Sequence, residues 1–372
     1  MFGIKDLFSK KQVVGLDVGS SSIKLVDIQD TPKGFFLNNF FQIPLEKGVI
    51  VDGVLSKPDI LSRKIKKLFK TSGCKIKKIV TSLPGHSVII KKVSFSVMEE
   101  EELRELISDE AEKYLPFDDV EEVNFDFQIL GESDATPNQM EVILVAAKKD
   151  IIYSYTVAIE NAGLKVVIMD VEAFALETMY ETNYDFEEDD IAVLVNIGAS
   201  MTNINVVKNG TSIFTRDFPM GGNNITEVIQ EKMGVTFEEA EAAKLEVAKM
   251  GEGADKAKLE EVEADEVEEG GFKGDLISCA EAIFMEIERS VDYFRSTYTG
   301  GYIKQILISG GCAKIPGLAS ALSQRLNIET ELINPFKNIS YNKKAFNSKR
   351  IEDIGPMAAI GVGLALRRIG DK

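Results

Sequence analysis

The sequence predicts an α/β protein of two related domains closing on one shared site. Two observations carry this reading. The stretch VVGLDVGSSSIKLVDI at Val13–Ile28 has a counterpart in AVLVNIGASMTNINVV at Ala192–Val207. With Asp17 aligned on Asn196 and Gly19 on Gly198, each copy reads as an apolar strand, a turn of glycine and small hydroxyl residues, and a second strand. Around both copies, strand-like runs alternate with helical ones, as an α/β domain requires. The 372 residues leave room for about two domains with substantial cores. Each hairpin tip is nearly all backbone N–H and hydroxyl donors. Glycine lets main chain approach an anion, and clustered N–H and hydroxyl groups form a phosphate nest. Two such tips, half a chain apart, point to two domains closing on one polyphosphate.

The remaining elements follow in order. Phe35–Ile43 continues as strand. Pro58–Thr71 reads as a helix with Ile60, Leu61, Ile65, Leu68 and Phe69 on its apolar side, and Lys77–Leu83 as a strand ending at Pro84-Gly85. A different module follows: strand Ser87–Val97, helix Glu99–Leu115, strands Val123–Leu130 and Gln139–Ala147 around GESDATPN, and helix Asp150–Ala162. Leu164–Asp170 then returns to the first domain. The second half repeats the hairpin and adds strand Thr211–Phe218, helices Ile225–Met233 and Phe237–Met250, and a long amphipathic helix Leu276–Tyr298. Strand Ile303–Ser309 leads into GGCAKIPG and the helix Leu318–Leu326, and Asp353–Ile369 is a small-residue helix. The expected domains are therefore 12–85 with 163–190, an inserted α+β subdomain at 86–162, and 191–372. Gly251–Gly274, with nine acidic residues against three lysines, reads as solvated helix extension or loop.

Composition removes several function classes. A net charge of −17 argues against nucleic-acid binding, which needs a basic face. One local exception is the basic cluster Arg63, Lys64, Lys66, Lys67, Lys70, Lys75, Lys77 and Lys78, read as a solvated helix face and basic strand, with an anionic lipid surface or acidic partner as the alternative. Cys74, Cys279 and Cys312 are far apart and odd in number, as in a reducing compartment without a disulfide framework. A single histidine, His86, argues against a histidine-based zinc site or a Ser-His-Asp triad. No apolar run approaches the roughly 20 residues that span a bilayer. MFGIKDLFSKK lacks the h-region of a signal peptide, so a cytoplasmic protein is expected. Phe2, Ile4, Leu7 and Phe8 make this leader mildly amphipathic, either a docking helix or a frayed terminus.

Neither a Walker motif nor a dinucleotide fingerprint is present. Three Gly/Ser-rich turns at strand ends remain: Gly19–Ser22, Gly198–Thr202 and Ser309–Gly317. Their order resembles that of the actin-like ATPases, which include sugar kinases, heat-shock chaperones and the division protein FtsA. LDVGSSSIK and VNIGASMTNI are similar to the family's two phosphate motifs, EAFALE and PMAAIGVGLA to its two connecting helices, and ISGGCAKIPG to its adenosine motif. Within that group, DEAEKYLPFDDVEEVNFDFQIL, LVAAKKDIIYSYTVAIENAGLKVVIMDVEAF and the opening MFGIKDLF resemble the PilM family of type IV pilus assembly. The resemblance covers essentially the whole chain. It implies two duplicated RNase-H-like domains with an FtsA-type subdomain inserted in the first.

The resemblance also implies site residues, with ATP and Mg²⁺ as cofactors. Asp17 would face the metal through water, while Gly19, Ser20, Ser21 and Ser22 wrap the phosphates and Lys24 lies beside them. Asn196, Gly198, Ala199, Ser200 and Thr202 would hold the other side, with Gly221 and Gly222 at the following helix. Glu241 and Lys244 would contact ribose and adenine, and Gly310, Gly311 and Cys312 would let adenine lie on bare backbone. Glu172 and Asp17 are the catalytic candidates, Glu172 matching the position that orients water or capping a helix instead. One departure is Asn196, where the second phosphate motif usually carries an acid; its neutral amide implies ATP binding with slow or absent turnover.

The implied function is a nucleotide-dependent scaffold. It would bind the N-terminal cytoplasmic tail of PilN, against Ser87–Ala162 as candidate wall, and contact other inner-membrane and motor proteins of the pilus in twitching motility. That would hold it peripherally at the inner membrane, with homo-oligomerisation left open. Two alternatives share the superfold. A small-molecule kinase would need an acceptor pocket, and no acceptor motif stands out. An FtsA-like filament would need a C-terminal amphipathic membrane helix, not expected after RRIGDK.

Overall fold

A computed structural model describes residues 12–51, 53–115, 122–133, 136–250, 276–298 and 300–370. The leader 1–11 and the acidic segment 251–274 lie outside the described residues.

The first hairpin is β1 (Val14–Val18) and β2 (Ser22–Thr31), extended by β3 (Gly34–Pro44). A small hairpin of β4 (Ile50–Val51) and β5 (Val54–Leu55) precedes helix α1 (Pro58–Ser72) and strand β6 (Lys78–Leu83). Proline in the first turn and Gly73 at φ +69° beyond the last turn delimit α1, as those residues do when no N–H is needed at the start and a left-handed residue is needed at the end. The inserted module is β7 (Val88–Ser96), α2 (Glu100–Tyr114), β8 (Val123–Glu132), β9 (Gln139–Lys148) and α3 (Lys149–Glu160). Then come β10 (Lys165–Val171) and α4 (Glu172–Asn183). The second half holds β11 (Ile191–Ile197), β12 (Thr202–Lys208), β13 (Thr211–Phe218), α5 (Gly222–Met233) and α6 (Phe237–Met250). It continues with α7 (Glu281–Thr297), β14 (Ile303–Ser309), α8 (Leu318–Leu326), β15 (Glu329–Leu332), β16 (Ser340–Tyr341) and α9 (Ser348–Leu366).

The duplication extends to whole sheets. One sheet has the order β10-β6-β1-β2-β3-β16, the other β13-β12-β11-β14-β15. In each, the hairpin strands pair antiparallel, and the first hairpin strand pairs parallel with a strand arriving from later in the chain. Cores follow the same division. One apolar cluster lies against β11, β12, α7 and α8, a second under β1, α1 and α3, and a smaller one inside the module sheet β7-β9-β8. A further cluster joins the halves through α4 and α9. There a Cβ on Gly363 would stand 1.7 Å from the Ala175 carbonyl oxygen, so only glycine permits this helix contact. The chain crosses back at its end: β16 pairs with β3, and α9 packs on β1 and β2.

Three boundaries differ from the sequence reading. α5 begins at Gly222 rather than Ile225, because the Asn224 side chain accepts from the Gly221 N–H at 2.9 Å and draws the glycine pair into the helix start. The helix expected over Leu276–Tyr298 is interrupted by a turn at Ala280 (φ −87°, ψ 0°), which its composition hides because alanine is a strong helix former. α9 starts at Ser348 rather than Asp353, capped by Asn347, whose side chain accepts from the Arg350 N–H at 2.8 Å.

Candidate functional site

The two duplicated hairpins fold into the same turn. Gly19 N–H donates to the Ser22 carbonyl at 3.1 Å, and Gly198 N–H to the Met201 carbonyl at 2.9 Å. The tips meet across the cleft, where Ser200 Oγ and Ser20 Oγ are hydrogen-bonded at 3.0 Å. The start of α5 supports the second tip: Gly222 and Asn223 N–H donate to the Gly198 and Ala199 carbonyls, and Asn223 Nδ2 donates to Ser200 Oγ at 3.1 Å.

Below the tips lies a cavity of about 330 Å³. It brings together Asp17, Gly19, Ser20, Ser21, Ser22, Lys24, Glu172, Asn196, Gly198, Ala199, Ser200, Glu241, Lys244, Gly310, Gly311 and Cys312, along with apolar Leu245, Ala248, Ile315 and Met357. Thr202, Gly221 and Gly222 do not line it. Thr202 is fully buried behind its loop, donating to the Met220 carbonyl at 2.7 Å. The two glycines sit under the second tip, where a Cβ on Gly221 would meet the Gly198 oxygen at 2.6 Å and one on Gly222 the Cys312 sulfur.

The turn after β14 completes the wall. Gly310 holds φ +92°, and a Cβ there would lie 2.2 Å from the Ile197 carbonyl oxygen. Its N–H donates to the carbonyl of Pro356, inside α9, at 2.8 Å, so this loop is tied to the connecting helix. Gly311 faces open space. Burial pushes the Cys312 thiol above its ordinary range, leaving it a small apolar group rather than a nucleophile.

Polar side chains in the cleft are largely engaged with one another. Lys24 Nζ pairs with the buried Asp17 carboxylate at 2.8 Å. Lys244 directs Nζ to the Gly222 carbonyl at 2.8 Å, Thr226 Oγ1 at 2.7 Å and Glu241 at 2.7 Å. Three acceptors use all three N–H donors of the ammonium, so Lys244 braces Glu241 and offers the cavity its alkyl chain. Asn196 Nδ2 donates to Asn203 Oδ1 at 3.0 Å, and Asn203 Nδ2 donates to Asp217 Oδ1 at 2.8 Å. Asp217 in turn presses against Gly85 of the first domain.

Glu172 opens α4 at the cleft floor. Burial pushes its carboxyl up to about 8, reinforced by the negative charges of Asp17 and Asp217, against the opposing pull of Lys24 and a hydrogen bond with Asn203. At neutral pH it is mostly a neutral acid, able to donate a hydrogen bond but poorly suited to accept a proton. Asn203 and Asp217 escaped the sequence reading. The signal for Asn203 was available, because the hairpin alignment sets it opposite Lys24; nothing local marks Asp217.

The comparisons agree with this architecture. A family profile described as "Type IV pilus assembly protein PilM" matches residues 15–369. The cell division protein FtsA of Enterococcus hirae is 22% identical over 351 residues, covering 87% of this chain and 78% of that protein. Among solved structures, the PilM-PilN type IV pilus biogenesis complex superposes with a TM-score of 0.81 at 26% identity, covering 96% of this chain and 98% of that one. The ethanolamine utilization protein EutJ of Carboxydothermus hydrogenoformans gives a TM-score of 0.54 at 16% identity, over 97% of this chain and 94% of that one, a likeness of fold. With its duplicated sheets, paired hairpin tips and inserted module, the chain has the actin-like ATPase fold and belongs to the PilM family of type IV pilus assembly proteins.

Proposed function

We propose that this protein is an ATP-binding scaffold of the pilus assembly complex at the inner membrane. The observation that carries the reading is the meeting over the cavity, at Ser20 and Ser200, of two hairpin turns with the same backbone hydrogen bond. A polyphosphate entering between them would exchange one hydroxyl–hydroxyl bond for charge-assisted bonds from both tips. The apolar side chains of Leu245, Ala248, Ile315 and Met357, beside the bare backbone of Gly310 and Gly311, suit a purine face. Among the described residues no three acidic, histidine or cysteine side chains gather to hold a metal. A magnesium ion would therefore be held by phosphate and water, with Asp17 as its protein carboxylate, and would neutralise phosphate charge. The residues present fit such an ion, because Mg²⁺ keeps most of its waters when it binds with nucleotide. Hydrolysis is slow in this reading, since Glu172 is mostly protonated and Asn196 spends its amide on Asn203 and Ser309.

The partner in this reading is the N-terminal cytoplasmic tail of a PilN-type protein. Support comes from the family and from the PilM-PilN complex as structural relative. A groove lined by Asn124 of β8 and Lys149, Asp150, Ile152, Tyr153 and Thr156 of α3 is the candidate tail site. No helix among the described residues is long and apolar enough to cross a membrane, so attachment would be peripheral and partner-mediated. Through this tail the protein would join the inner-membrane complex to the pilus motor.

Calorimetry tests the reading. Mg-ATP titrated into the purified chain should give saturable one-to-one binding, with little phosphate release over the same period. A PilN-type tail peptide should then bind one-to-one, with an affinity that depends on nucleotide. Absence of ATP binding removes the nucleotide half, and absence of peptide binding in either state removes the scaffold half.

A further inference from the structure

The nucleotide and tail readings leave the basic cluster of the first domain unused. The structure turns it into a defined surface. Arg63, Lys66, Lys67 and Lys70 are exposed and fall within an arc of about 100° on α1. Leu61, Ser62, Ile65, Leu68 and Phe69 are buried on the opposite side of the same helix. Lys75 and Lys77, in the segment leading to β6, extend the exposed positive charge. The acidic counterparts nearby are few. Glu46 is taken by Lys64 at 2.7 Å, and Asp59 is the only acidic residue of α1, one turn before Arg63.

We infer that this face of α1 docks on an anionic lipid bilayer through its headgroups. The inference does not rest on the nucleotide reading. Its grounds are charge complementarity and side-chain type. The chain carries −17 overall, so this positive strip stands against the protein's own field and is the orientation in which an anionic surface attracts it. No large apolar side chain is exposed among residues 58–78, and only one of the six cations is arginine. Protein interfaces favour aromatic and arginine anchors and are depleted in lysine. A row of mobile, hydrated ammonium groups without an anchor instead matches a laterally fluid array of phosphates. Each lysine close to such a surface contributes about a five-fold gain in binding.

The test is co-sedimentation of the purified full chain with vesicles rich in phosphatidylglycerol, against pure phosphatidylcholine vesicles, at low and physiological salt. Binding to the anionic vesicles alone, weakening as salt rises, is the expected result. The triple variant K66Q/K67Q/K70Q should lose about a hundred-fold in that binding. A charge-matched control, K343Q/K344Q/K349Q, changes exposed lysines elsewhere and should bind as the parent does. Both variants should melt like the parent and retain Mg-ATP binding, which separates this inference from the nucleotide reading. Equal loss in the two variants, no preference for anionic vesicles, or polyglutamate outcompeting the vesicles for this face would overturn it, the last in favour of an acidic protein partner.

Discussion

Asn196 and Asn203 face each other across the second hairpin, joined Nδ2 to Oδ1 at 3.0 Å, at the register that Asp17 and Lys24 occupy in the first hairpin. The duplicated frame thus carries an ion pair on one side of the cleft and a neutral amide pair on the other. The amide pair continues to Asp217, and Asn196 also accepts from Ser309 Oγ at 3.3 Å. The second tip is in this way held through neutral amides, while at the equivalent register the first carries the Asp17 carboxylate.

Replacing Asn196 with aspartate tests that division. The substitution removes the donor to Asn203 and should lower stability by about 1–3 kcal/mol. It also supplies the acidic group that the second phosphate motif usually carries, and phosphate release from Mg-ATP should rise several-fold above the parent. Steady-state turnover decides the matter. An unchanged rate in a folded variant would mean that the residue at 196 does not set the turnover.

Glu172 makes a pH prediction with a definite sign. Its folded carboxyl sits at about 8, against an ordinary 4.5 when unfolded. A group whose value is raised on folding lends full stability below the unfolded value and loses it as pH climbs through the folded one. Glu177, raised to about 7 chiefly by burial and held by Ser212, acts in the same direction over a narrower window. The parent should lose stability progressively from about pH 4.5 to 8. Glu172→Gln, which keeps the shape and removes the charge, should be about 1–3 kcal/mol more stable than the parent near pH 8.5 and equal to it near pH 4.5. Between those limits it should keep the shallower slope of Glu177. Melting curves across that range check it, and a variant whose pH profile parallels the parent's would place the titration elsewhere.

Gly310 and Gly311 are adjacent but make opposite demands. Alanine at 310 must adopt φ +92° with its methyl about on top of the Ile197 carbonyl, so Gly310→Ala should be destabilised by more than about 2 kcal/mol. Alanine at 311 meets nothing within 4 Å and should fold as the parent does. Its methyl would stand where the bare backbone lines the cavity, so Mg-ATP affinity should fall about ten-fold. Thermal melts and calorimetry on the two variants separate fold from site. Weakened ATP binding in neither variant would remove this loop from the nucleotide wall.

Much of this was legible in the residues. The hairpins announced themselves because glycine and serine at a strand end have few alternatives to a tight turn, and the duplication supplied its own internal check. The strands were readable because buried parallel strands such as β14 are runs of Ile and Leu. What stayed hidden was set by partners distant in sequence. Asp217 is an ordinary strand residue until folding sets it against Gly85 and Asn203. Nothing local in EAEAAK shows that Gly222, Thr226 and Glu241 engage all three donors of Lys244. The turn at Ala280 runs against local propensity, which tertiary context routinely overrides.

Tyr155 links two surfaces through one helix, and this yields a test of communication. On α3 it lines the cavity below the hairpin tips, and its hydroxyl donates to the Gly53 carbonyl at 3.1 Å in the β4–β5 hairpin, with 1% of the residue exposed. Burial, with the Glu172 charge, raises that hydroxyl far above its ordinary range, so it stays a donor at any working pH. Two residues earlier, Tyr153 is 70% exposed and borders the outer groove with Ile152 and Thr156. The same rigid helix therefore presents one residue to the cleft and others to the groove. Tyr155→Phe leaves the packing and frees the Gly53 carbonyl, and should destabilise by about 1 kcal/mol. If α3 carries the coupling, this variant should bind both Mg-ATP and a PilN-type tail peptide but lose the dependence of one on the other. Tyr153→Ala should instead weaken the peptide alone, leaving Mg-ATP affinity at the parental value. Intact mutual dependence in Tyr155→Phe would assign the hydroxyl a purely structural role and move the coupling off this helix.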